Sequence, residues 1–166
     1  MREAEVYESE RGIRVGGRVL NNLRYADDTT LVAESEDDLR ELIQTVESAS
    51  EKAGLYLNIK KTKVMANGIL PTFNTAKGAI EVVDHFNLLG SVIESAGGCG
   101  MELARRLALG RAAMGGLSKI WRDKDISICT KIRLVQCLVF PVFTYGSETW
   151  ALNKAQTARV KAFEQW

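Results

Sequence analysis

Two adjacent carboxylates, Asp27 and Asp28, follow Tyr25-Ala26 at the end of an alternating segment. Side by side they repel one another, and they gain little from burial unless a cation is present. Hard anionic oxygens so placed suit Mg²⁺ or Mn²⁺; Mg²⁺ commonly binds through one or two carboxylates and completes its shell with water and substrate phosphates. Strand alternation predicts Tyr25 beside Asp27 and Ala26 beside Asp28, so the two acids need not be equivalent. An Asp-Asp pair is also an ordinary solvated turn, and only its surroundings decide between the two. A second group of candidates is basic. Lys60, Lys61 and Lys63 crowd one short segment, and Arg105, Arg106, Arg111, Lys119, Arg122, Lys131 and Arg133 are spread over the C-terminal part. Such cations neutralise phosphates without regard to base sequence; taken singly, each reads more readily as a solvated charge than as a phosphate ligand. His85 has no His or Cys at ligand spacing and reads as structural. Cys129 and Cys137 read as small packing residues rather than nucleophiles. Trp121 and Trp150 could stack on bases, although helical spacing favours core packing for Trp121.

The elements that must position these groups are legible in outline. Residues 12–33 alternate around turn signals, which predicts two successive hairpins, one turning at Gly16-Gly17 and one at Ala26-Asp27-Asp28-Thr29. Over 36–53, Leu39, Leu42, Ile43, Val46, Ala49, Ser50 and Ala53 recur at helical spacing with acids on the other face. Ser35 with Asp38 resembles a capping box, and Gly54 supplies the stop. Residues 55–65 return to strand-like alternation. Beyond Asn67-Gly68 and Pro71, two short extended pieces are expected near 79–83 and 86–93. The composition breaks at 95–100 and becomes helical, with Leu103, Leu107, Met114, Leu117 and Trp121 on one stripe. Ser127 caps a second predicted helix through Ile128, Ile132, Val135, Leu138 and Val139, ending before Pro141. A third begins near Asn153 and is expected still to run at Trp166.

The chain has 166 residues, 46% hydrophobic and 26% charged, the balance of a soluble globular domain with a real core. That excludes a disordered tail, a collagen-like fibre and a disulfide-stapled miniprotein. No apolar run approaches the ~18–20 residues of a membrane span, and the acidic N-terminus does not read as a signal peptide. Three widely spaced cysteines make neither a disulfide framework nor a zinc ribbon, and a reducing intracellular compartment, nuclear or cytoplasmic, fits best. The net charge of +1 conceals an asymmetry. Residues 1–53 carry 7 basic and 13 acidic side chains, a net of −6, while 54–166 carry 15 and 8, a net of +7. Such a split points either to an anion-binding surface or to uneven but solvated charge.

The register around the acids resembles the reverse transcriptases of non-LTR (LINE-type) retrotransposons. Residues 16–31, GGRVLNNLRYADDTTL, look like that family's catalytic hairpin with its lead-in strand. Leu57-Asn58-Ile59-Lys60-Lys61-Thr62-Lys63 is similar to the next block. Phe86-Asn87-Leu88-Leu89-Gly90-Ser91-Val92-Ile93 resembles the primer-grip strand, with Leu88 where an aromatic usually precedes Leu-Gly. Tyr145-Gly146-Ser147-Glu148-Thr149-Trp150 looks like the segment beyond the thumb. The resemblance covers nearly the whole chain. It implies an α+β fold, a partial palm (1–95) of antiparallel hairpins with a packed helix, an α-helical thumb (96–145) and the start of a further connection (146–166). It also implies RNA-templated DNA synthesis, in which two Mg²⁺ ions clamp the attacking 3′-oxygen and the leaving pyrophosphate. Asp27 would be the main metal ligand and Asp28 a weaker one. Tyr25 would shape the primer end, Lys61 would meet the incoming triphosphate, and Leu89, Gly90, Arg105, Arg106, Arg111 and Lys119 would contact primer or template.

The resemblance also implies partners: an RNA template with a DNA primer, and the fingers and upstream palm of the same polyprotein. The family's further catalytic Asp, its fingers and its nucleotide pocket are expected before residue 1. Glu3, Glu5, Glu8 and Glu10 match no version of that motif. Asp27 and Asp28 are then a half-site that binds metal weakly, and the isolated chain is expected to be inactive. Two alternatives stay open, a non-catalytic nucleic-acid-binding module and a decayed transposon-derived protein.

Overall fold

A computed structural model describes residues 11–165. The chain is mixed α+β, built from short antiparallel hairpins and helices, and it divides into two compact units. One comprises the described residues up to Lys63 together with Thr72–Glu81; the other comprises Val64–Pro71 and the described residues from Val82 onward. Glu3, Glu5, Glu8, Glu10 and Trp166 lie outside the described residues.

In the first unit, β1 (Ile13–Val15) pairs with β2 (Arg18–Leu20) around Gly16-Gly17, and β3 (Asn22–Tyr25) pairs with β4 (Asp28–Leu31). Both expected hairpins are present. Helix α1 (Glu36–Lys52) begins where Ser35 Oγ accepts the Asp38 N–H and ends before Gly54, whose φ is +74°. Three acids in its first turn favour the positive end of the helix dipole. Its apolar stripe carries Leu42, 2% exposed, against Leu31, Ala33, Val46 and Ala49. Residues 55–65 are not the expected strand. The Asn58 carbonyl accepts the N–H groups of Lys61 and Thr62, and the Asn58 side chain accepts Lys61 N–H as well. This local turn outcompetes extension, leaving only β5 (Lys63–Val64). β6 (Phe73–Thr75) pairs with β7 (Gly78–Val82), setting fully buried Phe73 opposite Ile80. Arg40 ties α1 to this hairpin, its guanidinium over the Phe73 ring and its Nε donating to the Asn74 carbonyl.

The second unit opens with β8 (His85–Leu88) and β9 (Ser91–Glu94), a hairpin where one extended piece was expected over 86–93. Helix α2 (Gly100–Gly116) follows, then the short α3 (Ser118–Arg122) and α4 (Ile128–Leu134), capped by Ser127 as its sequence predicts. The helix does not stop before Pro141. It widens into a π-turn (Val135–Val139) and continues as α5 (Phe140–Thr144) with Pro141 in its first turn. A proline ring presses on the carbonyl four residues back and lacks an N–H; a π-turn at that point relieves both conflicts. Helix α6 (Lys154–Glu164) starts at a full capping box, Asn153 with Gln156. Leu103 and Leu107 of α2 pack against Val139, Phe143 and Phe163 to make the core. Phe143 meets Trp150 edge-on and Phe163 at a tilt, with ring centroids 5.8 and 4.9 Å away. Among the described residues no helix is long and apolar enough to cross a membrane.

Candidate functional site: a carboxylate turn and a clamped hairpin tip

Tyr25 and Asp28 are Cα partners across the second hairpin, so the connecting turn has two residues, Ala26 and Asp27. Directly opposed residues share a face. Tyr25 therefore goes with Asp28, the reverse of the expected pairing, because strand alternation does not carry through a turn. Ala26 takes φ +51° while Asp27 does not, the pattern of a type II′ turn whose first position normally holds glycine. An alanine there costs about 1 kcal/mol of backbone strain. Asp27, at the tip, and Asp28 are both exposed, as is Tyr25 at 67%. Among the described residues no group of three or more His, Cys, Asp and Glu gathers as a metal site. Two exposed hard carboxylates on one turn nevertheless fit Mg²⁺ in its usual manner, with water and substrate phosphate filling the other positions.

Lys61 is exposed in the Asn58 turn of the same unit, its backbone fixed and its ammonium without a partner among the described residues. Lys63 is instead paired with Glu81.

The second unit brings together four of the expected residues. Leu88 pairs with Ser91, and the two-residue turn between them holds Leu89 at φ +48° and Gly90 at φ +82°. Tyr145 Oη donates to the Leu89 carbonyl at 2.7 Å. Arg105 Nη2 and Arg106 Nη2 both donate to the Gly90 carbonyl, at 2.6 and 2.5 Å. Behind them stands Glu102, 2% exposed, accepting from Arg105 Nε and Nη2, from Arg106 Nε at 2.6 Å and from the Val92 N–H at 3.0 Å. Burial pushes the Glu102 carboxyl up, but these donors outweigh it and hold its pKa down at about 2. Arg106 is itself buried, with Nη1 donating to the Val142 carbonyl and its guanidinium 4.4 Å from the Tyr145 ring centroid. It is turned into the protein rather than towards a phosphate.

Glu102 and Tyr145 were not among the sequence candidates. Glu102, Arg105 and Arg106 stand at i, i+3 and i+4, a spacing that announces ion pairs on a helix. Tyr145 reaches back 56 residues, and nothing local signals it. Arg111 and Lys119 are exposed on α2 and α3. Lys131 donates its ammonium to the Trp121 and Asp123 carbonyls, and Trp121 is half-buried with its Nε1 donating to the Met114 carbonyl. Cys129 and Cys137, expected as packing residues, are both exposed, since they fall on the outer side of α4 and the π-turn; Cys99 is the buried one.

Comparison with known proteins agrees with the hairpin. The family model for reverse transcriptase (RNA-dependent DNA polymerase) matches residues 8–93, just over half of the chain, including both aspartates and the Leu89–Gly90 turn. The chain belongs to that family, whose members generally use divalent metal ions. An uncharacterised transposon-derived protein of Caenorhabditis elegans is 33% identical over 155 residues, covering 90% of this chain and 55% of that protein. The chain thus spans little more than half the length of this curated relative. No solved structure matches.

Proposed function

We propose that this chain is the C-terminal palm and thumb portion of a non-LTR retrotransposon reverse transcriptase. The first unit would carry the catalytic hairpin, and the helices α2 to α5 would form the thumb. The observation that carries the reading is the exposed Asp27-Asp28 turn within the matched region. Bound there, Mg²⁺ would lower the barrier to in-line attack of a primer 3′-oxygen on a nucleoside triphosphate. Asp27 and Asp28 would hold it, Tyr25 would border the primer end, and Lys61 would neutralise triphosphate charge. The template would be RNA and the primer DNA. Two adjacent carboxylates supply half of a two-metal site, so the chain alone is expected to be inactive and to need the fingers and the rest of the palm.

The test is extension of oligo(dT) on poly(rA) with Mg²⁺ by the purified chain. No extension is expected. Extension that Asp27→Asn abolishes would overturn the half-site reading and restore a self-sufficient polymerase.

A second reading, a non-catalytic nucleic-acid-binding module, draws on a separate observation. Arg111, Lys119, Arg122 and Arg133 are exposed on α2 to α4, and none forms an ion pair among the described residues. It predicts duplex binding that weakens steeply with salt; binding indifferent to salt would count against it.

A further inference from the structure

From Ile126 to Ser147 the chain holds no carboxylate, and its only charges there are Lys131 and Arg133. Lys131 spends its ammonium on the Trp121 and Asp123 carbonyls, whereas Arg133 is exposed and has no partner among the described residues. Most of this stretch is the continuous helical run of α4, the π-turn and α5. One side of it, with Val135, Val139 and Phe143, packs into the core beside α2. On the other side Ile128, Ile132, Leu138 and Phe140 stand 42% to 69% exposed. Large apolar side chains gathered on an exposed face mark an interaction surface.

The chemistry of the face selects its occupant. Steps of four from Ile128 reach Ile132 and Gln136, and steps of four from Cys129 reach Arg133 and Cys137; all six are exposed. Rows at this spacing are the ridges by which one helix packs on another, and the small cysteines leave a hollow on either side of Arg133. An acyl-chain phase would leave Arg133 and Gln136, midway along the face, without polar partners. A second copy docked isologously about that midpoint would oppose two guanidiniums of like charge. A phosphate backbone would leave the apolar side chains unused. A helix with an apolar stripe and carboxylates beside it satisfies both needs, covering the isoleucines and giving Arg133 a charge-assisted hydrogen bond.

We infer that the outer face of α4, the π-turn and α5 docks an acidic amphipathic helix of a protein partner, with Ile132 and Phe140 as apolar anchors and Arg133 as the residue that selects its charge. The exposed thiols of Cys129 and Cys137 lie within that footprint, and Cys99 is buried outside it, so the chain carries its own reporters of occupancy. Neither Asp27 nor Asp28 takes part, so failure of the polymerase reading leaves this docking face standing.

The test is fluorescence anisotropy of two labelled synthetic helices titrated with the full chain, one with a leucine stripe flanked by glutamates and the other with the same stripe flanked by lysines. Alkylation of each cysteine by N-ethylmaleimide is followed alongside by mass spectrometry, and every variant is melted. The acidic helix should bind about tenfold more tightly than the basic one, and it should slow alkylation of Cys129 and Cys137 while leaving Cys99 unchanged. Arg133→Glu should reverse the preference between the two helices. Ile132→Ala should weaken the acidic helix about tenfold without lowering the melting temperature, because the side chain it truncates is exposed. Equal binding of the two helices, or binding that leaves Cys129 and Cys137 as reactive as before, overturns the inference. Protection of both thiols without the acidic helix overturns it too. Protection by rising concentration of the chain itself would assign the face to a second copy, by phosphatidylserine vesicles to a membrane, and by an RNA–DNA hybrid to nucleic acid.

Discussion

Arg106 Nε donates to Glu102 Oε1 across 2.6 Å, and both side chains are more than nine-tenths closed to water. Removing one partner of a buried pair strands the other, at a cost of about 3–5 kcal/mol. Glu102→Ala leaves two guanidiniums and the Val92 N–H without their acceptor, so a loss of that order is expected in urea denaturation. A loss below ~1 kcal/mol would mean that water enters and solvates the arginines.

The same carboxylate sets a pH dependence. Its folded pKa of about 2 lies below the ordinary 4.5, so its stabilisation is complete above about pH 4.5 and is lost as pH falls towards 2. The full contribution is roughly 3 kcal/mol. Stability measured between pH 5 and 2 should fall in the parent chain and fall less in Glu102→Gln. Parallel profiles would assign the acid sensitivity to other carboxylates.

Gly110 is buried in α2 at the point where α6 crosses it. A Cβ there would stand 2.8 Å from Phe163 Cζ and 3.4 Å from Phe143 Cβ. Alanine is worth ~1 kcal/mol over glycine in a helix interior, but overpacking a filled core costs about 1–3 kcal/mol. Gly110→Ala is therefore expected to destabilise, and adding Phe163→Leu should recover part of the loss. A Gly110→Ala chain that melts higher than the parent would show that α6 moves aside freely.

The two strained turns should both gain from relaxation. Ala26→Gly and Leu89→Gly each remove a positive φ from a residue with a side chain. Each should stabilise by up to about 1 kcal/mol in thermal melting. A variant that melts no higher than the parent would show that its turn stores no such strain.

Local devices were legible in the sequence. The Ser35, Ser127 and Asn153 caps and the first two hairpins lie where residue chemistry indicates, because each depends on neighbours within a few positions. Errors arose where a pattern had two solutions. Residues 55–65 alternate like a strand, but Asn58 captures two N–H groups and bends them into a turn. Residues 86–93 alternate in both arms of a hairpin, and a leucine in the left-handed region is no turn signal. Helix α6 ends at Glu164, with Gln165 as its cap. The site divided in the same way. Tyr25, Asp27 and Asp28 were readable as a local motif, whereas the burial of Arg106 depends on Gly90, Val142 and Tyr145, which only the folded chain brings within reach.

The π-turn at Val135–Val139 fixes a phase. Each helical residue advances the side-chain direction by about 100°, so one residue more or fewer in this turn would rotate everything beyond it by that angle. Phe143 would leave the core, and the Val142 carbonyl and Tyr145 would swing away from Arg106 and Leu89. A single-residue deletion in this turn would release the tip while leaving every residue of the clamp unchanged in type.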